Sequence, residues 1–214
     1  MSKTTDAPRL PAGSPQGSRK APAENTPQPI LMSDAMVLAL LAGNKTETRR
    51  IWSDRYAKVE AGQLLWVREA WRCRSLRGDQ ARVQYRADES DGFVVLGASD
   101  TRPGSRQELP GHLNNPDPHR DAPWQVSMFM PKIASRLTLK VSHVKRQRLR
   151  EITTVDCMAE GLRGADLVGQ YGRLWDSLHH DAPQRWIDNP EVAVVGFEVI
   201  KRNILELTKG RKAA

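Results

Sequence analysis

The residues best suited to chemistry on an anion follow the first predicted helix. Segment 44–50 reads Asn-Lys-Thr-Glu-Thr-Arg-Arg, which we interpret as a polar, basic turn. The guanidinium groups of Arg49 and Arg50 have the fork geometry that phosphate oxygens accept, so both residues could contact phosphate. A solvated turn after a helix has the same composition, and the residue types leave both interpretations open.

Three further residues are candidates for nucleic-acid binding. Arg68 and Lys132 could also contact phosphates. Trp71 could stack on a base, which would contribute roughly 1–3 kcal/mol per base. The nearby Trp66 lies within an apolar run and is more typical of a core residue.

Metal and disulfide chemistry have little support in the sequence. The two cysteines, Cys73 and Cys157, lie far apart and neither belongs to a CxxC pair. The adjacent His179 and His180 point in two directions on any regular element, which does not suit a shared metal ion. We therefore predict no metal, no cofactor and no structural disulfide.

Positive charge is grouped along the chain. The formal net charge is +8, and segment 131–150 has seven basic residues and no acidic one. Segment 44–86 has 11 basic and 5 acidic residues. Such a balance suits a polyanionic partner, because phosphate contacts give affinity that does not depend on sequence. A solvated basic surface without a partner is the alternative.

Composition predicts one domain with flexible ends. Residues 1–29 are rich in Pro, Ala, Ser, Gly and Thr and are predicted to form a disordered tail. The folded domain is predicted at 30–205, with a long loop excursion at 88–123 and a basic, frayed tail at 206–214. No apolar run reaches the roughly 20 residues that a membrane helix needs, and residues 1–23 lack the apolar core of a secretory signal. We expect a cytoplasmic protein without membrane association.

Apolar periodicity predicts the elements that must position the candidate residues. Met36, Val37, Leu40 and Leu41 share one face of a helix that ends near Gly43. Strands are predicted at 63–69, 82–87, 135–145 and 192–200, and further helices at 153–161 and 167–178. Because strands and helices do not alternate regularly, we predict an α+β fold, a small mixed barrel with about three short helices.

Several blocks of the sequence, taken in order, resemble the ASCH family as it occurs in phage and prophage proteins. They cover most of the segment from about 29 to 200. The blocks are Pro29–Met32 with Gly43–Arg50, Gly62–Trp71, Tyr85–Ala87, Met130–Leu137 and Ile152–Gly161. The resemblance implies a PUA-like β-barrel. The chain departs from the family pattern at Gln63, where Asp is usual, at Ile133, where Trp is common, and at Thr154–Val155, which replaces an acidic pair.

The resemblance also implies a function and a catalytic set. The family is associated with RNA, and some small bacterial members resemble amidohydrolases that remove the acetyl group from N4-acetylcytidine. Their catalytic residues correspond to Lys45, Thr48 and Glu160. In that chemistry Thr48 would be the nucleophile and Lys45, with a lowered pKa, its base. Glu160 would pass a proton to the departing amine.

Other functions fit the same residues. Glu160 could instead end a helix and pair with Arg50 or Arg68 in a structural role. The domain could read RNA or a modified nucleoside without chemistry, or act as a ribonuclease. It could also be a phage accessory or assembly protein that uses the barrel as a scaffold for protein partners, which the sequence does not identify.

Overall fold

The computed structural model describes residues 26–77, 80–95 and 122–209. Residues 1–25 of the predicted disordered tail and 96–121 of the predicted 88–123 excursion lie outside the described residues. The described ranges contain eight strands and four α-helices, which confirms the α+β class. None of these helices is long and apolar enough to cross a membrane.

The elements follow one another in mixed order. The strands are β1 Gln28–Leu31, β2 Glu47–Ile51, β3 Leu64–Arg68, β4 Trp71–Arg77, β5 Gln80–Tyr85, β6 Asp91–Val95, β7 Thr138–Arg148 and β8 Glu191–Ile200. The α-helices are α1 Asp34–Leu41, α2 Thr154–Ala159, α3 Leu167–Asp176 and α4 Ile204–Lys209.

The strands form two sheets. The larger sheet has the order β1-β3-β7-β8-β2, in which β1 runs parallel to β3 and the other pairs are antiparallel. The smaller sheet, β4-β5-β6, is antiparallel throughout. Among the described strands no backbone ladder joins β1 to β2, so the predicted barrel is not closed by backbone hydrogen bonds.

Strand β8 is buried on both faces from Val192 to Phe197, which explains its unbroken apolar run. One face carries Val195 and packs with Val37 and Leu40 of α1. The other face carries Val194 and packs with α2 and α3, where Tyr171 lies. Strand β2 is hydrogen-bonded to β8 at the edge of the sheet, so its side chains alternate between these two cores.

Four segments differ from the sequence-based expectations. Residues 47–50 of the predicted turn belong to β2, an edge strand. Because four of its five residues are polar, it lacks the alternation of apolar and polar residues by which a strand is recognised. Residues 28–29 of the predicted tail belong to β1, and 91–95 of the predicted loop excursion form β6. Residues 204–209 form α4, which begins after Asn203, whose side-chain amide donates to three backbone carbonyls of residues 132, 133 and 135.

Candidate functional site

Lys45 and Glu160 meet in the interior although 115 residues separate them. Lys45 Nζ donates to Glu160 Oε2 at 2.6 Å and to the backbone carbonyl of Glu160 at 2.9 Å. The lysine is fully buried and Glu160 is 7% exposed. The structure therefore brings together two of the three residues of the predicted catalytic set.

The end of α2 is built to approach the start of β2. A capping box between Thr153 and Asp156 begins the helix, and Glu160 is its C-terminal cap. Thr46 then donates its backbone N–H to the carbonyl of Ala159 at 2.8 Å. Gly161 follows with φ +99°, and a Cβ there would lie 3.3 Å from that of Lys45. Glycine thus permits both the turn and the close contact.

Four more polar residues surround this pair. Arg49 Nη1 donates to Glu160 Oε1 at 3.1 Å, and Tyr171 donates its hydroxyl to the same oxygen at 3.4 Å. Arg49 also pairs with Asp156 at 3.2 Å and with Glu47 at 3.6 Å. We call these six residues the polar cluster: Lys45, Glu47, Arg49, Asp156, Glu160 and Tyr171.

Burial controls the electrostatics of the polar cluster. Desolvation lowers the pKa of Lys45, against the opposing attraction of the Glu160 carboxylate. Desolvation also raises the pKa of Tyr171 well above its usual value, and the adjacent Glu160 carboxylate adds to the rise. Asp156 differs, because hydrogen bonds from Thr153 and the charge of Arg49 outweigh its partial desolvation and lower its pKa. The cluster thus favours a neutral Lys45 more than water would.

Thr48, the third member of the predicted catalytic set, lies on the other face of β2. It pairs across the strands with Val195, whereas Arg49 pairs with Val194, so the two side chains point to opposite faces of the sheet. Thr48 is fully buried, and within the described residues its hydroxyl has no hydrogen-bond partner. Its role as a nucleophile stays a prediction.

The predicted nucleic-acid-binding residues are dispersed. Arg49 belongs to the polar cluster, whereas Arg50 reaches across to β1. Arg68 donates to the carbonyl of Met128 at 3.0 Å and lies over the ring of the buried Trp66. Lys132 begins a short 3₁₀ helix. Trp71 is fully buried in the core under the smaller sheet, so a base could stack on its ring only if that core opened.

Sequence reasoning missed one surface residue beside the cluster. His143 Nε2 lies 3.5 Å from Glu47 Oε1, although β8 runs between their strands. The residue of β8 between them is Gly196, where a Cβ would lie 2.1 Å from the imidazole. The absence of a side chain at Gly196 therefore permits the contact, and a lone glycine inside an apolar strand is the signal that could have indicated it.

Metal ligands do not cluster in the described part of the chain. No group of three or more His, Cys, Asp or Glu side chains there could hold a metal ion. The two cysteines are free and lie in separate buried clusters, Cys73 under the smaller sheet and Cys157 under α3.

No family model and no curated protein matches the chain. Among solved structures, the chain is similar to the protein EF3133 from Enterococcus faecalis V583, described with the family model DUF984. The TM-score is 0.42 at 11% sequence identity, and the similarity covers 86% of this chain and 82% of the other. At this TM-score no conclusion about function follows.

Proposed function

We propose that this chain is an RNA-binding domain of the ASCH type that recognises a nucleobase, with the polar cluster as the base-reading site. The observation that supports the proposal is the 2.6 Å contact between the buried Lys45 ammonium and the buried Glu160 carboxylate. Buried ionisable groups with shifted pKa values concentrate at functional sites, although structural ion pairs share this property.

The chemistry of the pair suits cytosine. A carboxylate accepts a hydrogen bond from the exocyclic N4 amine of cytosine, and an ammonium donates to a ring nitrogen or carbonyl. Oε2 of Glu160 has a second lone pair beyond the one that Lys45 uses, whereas Oε1 already accepts from both Arg49 and Tyr171. A water-poor setting strengthens such hydrogen bonds. Lys45 is fully buried and Glu160 is 7% exposed, so a base reaches them only if the cover of the polar cluster opens.

Strand β7 supplies complementary charge for a phosphate backbone on both of its faces. Four of its exposed side chains are cationic: Lys140 and Lys145 on the face of Val194, and Arg146 and Arg148 on the opposite face. One of them, Arg146, is paired with Glu191 and lies over the ring of Trp52. Phosphate contacts from either pair would be lost as salt displaces them. The cytoplasmic location of the protein stays a prediction.

A binding titration tests the proposal. Fluorescence anisotropy would follow labelled single-stranded RNA oligonucleotides, with cytidine, N4-acetylcytidine or uridine at one position, at 50 and 200 mM salt. Glu160→Gln keeps the shape and removes the charge, and we expect it to abolish the preference for one base. Glu206→Gln, at an exposed position of α4, is the matched control and should bind as the wild type does. Wild-type protein that binds no RNA would refute the proposal.

Hydrolysis of an acylated cytidine is a second candidate function. The observation that favours it is that burial lowers the pKa of Lys45, so that a larger share of its amine is neutral and able to accept a proton. The amine would take the proton of a water molecule, whose oxygen bonds to the acyl carbon. The bond from that carbon to N4 would then break, and N4 would leave as an amine after accepting the proton. Attack by Thr48 would require its hydroxyl to reach the cluster from the opposite face of β2, and water would then have to hydrolyse the resulting ester.

A turnover assay on N4-acetylcytidine separates binding from catalysis. We expect the rate to rise with pH through the lowered pKa of Lys45, because only the neutral amine acts as a base. Thr48→Ala should abolish turnover if the hydroxyl is the nucleophile, and Thr154→Ala, an exposed threonine of α2, is the control. Retained turnover in Thr48→Ala would assign the attack to water. Absence of turnover with RNA binding intact would leave only the binding function, and shortened RNA would indicate a ribonuclease.

A further inference from the structure

The smaller sheet turns one face to solvent. Its inner face packs into a core that contains Val83, Tyr85 and Val94. Because neighbouring residues of a strand alternate in direction, Arg82 and its cross-strand partner Phe93 point outward together. Phe93 is 78% exposed.

The strand register fixes which residues share this outer face with Arg82 and Phe93. Val83 lies opposite Gly92, where a Cβ would come within 2.8 Å of the Tyr85 hydroxyl, and Ala81 lies opposite Val94. A slip of one residue would bury Phe93 and expose this core, so the register holds Phe93 outward. The outer face is Arg72, Ser75 and Arg77 of β4, Gln80, Arg82 and Gln84 of β5, and Asp91, Phe93 and Val95 of β6.

Charge on this face is mainly positive. Three of the outward residues are arginines, and Asp91, the one acidic residue among them, is paired with Arg82. Gln84 accepts hydrogen bonds from Arg72 Nε at 2.8 Å and from Arg74 Nη1 at 3.2 Å, which orients two guanidinium groups beside the sheet. Arg72 also lies over the ring of Trp124, with 4.4 Å to the ring centroid.

An exposed aromatic ring among ordered cations is the arrangement that binds single-stranded nucleic acid. Bases stack on the ring, and cationic side chains follow the phosphates. A single exposed phenylalanine is common on protein surfaces and means little alone. Here β5 places Arg82 beside Phe93, and Arg77 lies exposed on β4, on the same face of the sheet.

We propose that the outer face of the smaller sheet is a binding platform for single-stranded nucleic acid, on which Phe93 stacks on a base and Arg77 and Arg82 contact phosphates. This inference rests on the proposed function only in requiring that the chain bind nucleic acid. It assigns nucleic-acid binding to a second surface, which is built from elements other than the β2 and α2 segments of the polar cluster.

The platform is tested with an unstructured ten-nucleotide oligouridine and the full chain. Phe93→Ala should weaken binding about 5- to 150-fold, the range that loss of one base stack implies. Arg77→Gln should reduce the slope of log affinity against log salt by about 0.7. Two controls replace exposed residues elsewhere. Ile187→Ala removes an apolar side chain that is 68% exposed, and Arg173→Gln replaces an arginine of α3 whose side chain is 70% exposed. Both should bind as the wild type does.

The outcomes distinguish this platform from the base-reading site. Wild-type affinity in both Phe93→Ala and Arg77→Gln, with RNA binding itself intact, would overturn the platform alone. Weakened binding in these variants together with an unchanged Glu160→Gln would support the platform and overturn the base-reading site. Both substitutions are at exposed positions, and an unchanged thermal midpoint confirms that the fold is retained.

Discussion

Arg50 on β2 donates a 2.9 Å hydrogen bond from Nη2 to the carbonyl oxygen of Leu31 on β1. These strands are the two opposite edges of the five-stranded sheet, so the sheet must curl until its edges face one another. Arg55, shortly after β2, donates to the carbonyl of Pro29 in the same way. Arginine side chains therefore bridge a seam that a closed barrel would join with a backbone ladder.

Replacement of Arg50 tests the seam. Arg50→Met keeps the aliphatic stem and removes the donors, and we expect it to lower the free energy of unfolding by about 0.5–1.5 kcal/mol, because an exposed carbonyl exchanges its arginine partner for water. Hydrogen exchange should accelerate mainly in β1. Arg173→Met, on an exposed arginine of α3, should change neither quantity. Unchanged exchange in β1 would show that the seam does not depend on Arg50.

Alanine substitutions at two glycines in the left-handed backbone region distinguish the cost of backbone strain from that of steric conflict. Gly43 has φ +72° with no atom near the position of a Cβ, whereas at Gly161, with φ +99°, a Cβ would lie 2.8 Å from that of Ala39. Gly43→Ala should therefore cost about 1 kcal/mol of unfolding free energy from strain alone. Gly161→Ala should cost about 2–4 kcal/mol, because overpacking adds to the strain. Urea denaturation measures both.

Equal losses in the two glycine variants would contradict the close approach of α2 to α1 and Lys45. The test also concerns the polar cluster, because residue 161 directly follows Glu160. A distortion at Gly161 should weaken the contact between Lys45 and Glu160 as well as the fold, and it should reduce any base preference in RNA binding.

A second buried ion pair predicts a pH-dependent stability. Arg136 holds both oxygens of Glu69, at 2.9 and 2.7 Å, and its third nitrogen pairs with Asp88 at 2.8 Å. Desolvation raises the pKa of Glu69, and the hydrogen bonds and charge of Arg136 oppose that rise. Arg136→Met should therefore raise the pKa of Glu69 further and lower the free energy of unfolding at pH 8 by about 3–5 kcal/mol.

The sign of the pH effect follows from proton binding. In Arg136→Met the folded state keeps a proton on Glu69 that the unfolded state releases above its own lower pKa. Unfolding is then favoured as pH rises through the folded-state pKa, so the deficit relative to the wild type should be smaller at pH 5 than at pH 8. Urea denaturation at both pH values measures it. An equal deficit at both would show that Glu69 does not govern the loss.

Local pattern was enough for much of the fold. The apolar spacing of α1 and α3 and the alternation in β7 predicted these elements because a helix or strand with a buried face repeats its apolar residues with its own period. The apolar pattern did not predict strand β2, because both of its faces carry polar residues that are buried by different neighbours. Strand β6 was not predicted either, because it is short and lies beside Asp- and Gly-rich sequence.

The sequence by itself determined the α+β class, the main helices and strands, and the grouping of positive charge, because these depend on residue types and short-range periodicity. It also singled out Lys45 and Glu160, through family resemblance. Only the tertiary structure decided that these two residues touch, that Thr48 and Arg49 point to opposite faces, and that Trp71 is buried. Those outcomes depend on which strands pair and which helix covers which face, and contacts across more than 100 residues leave no periodic trace in the chain.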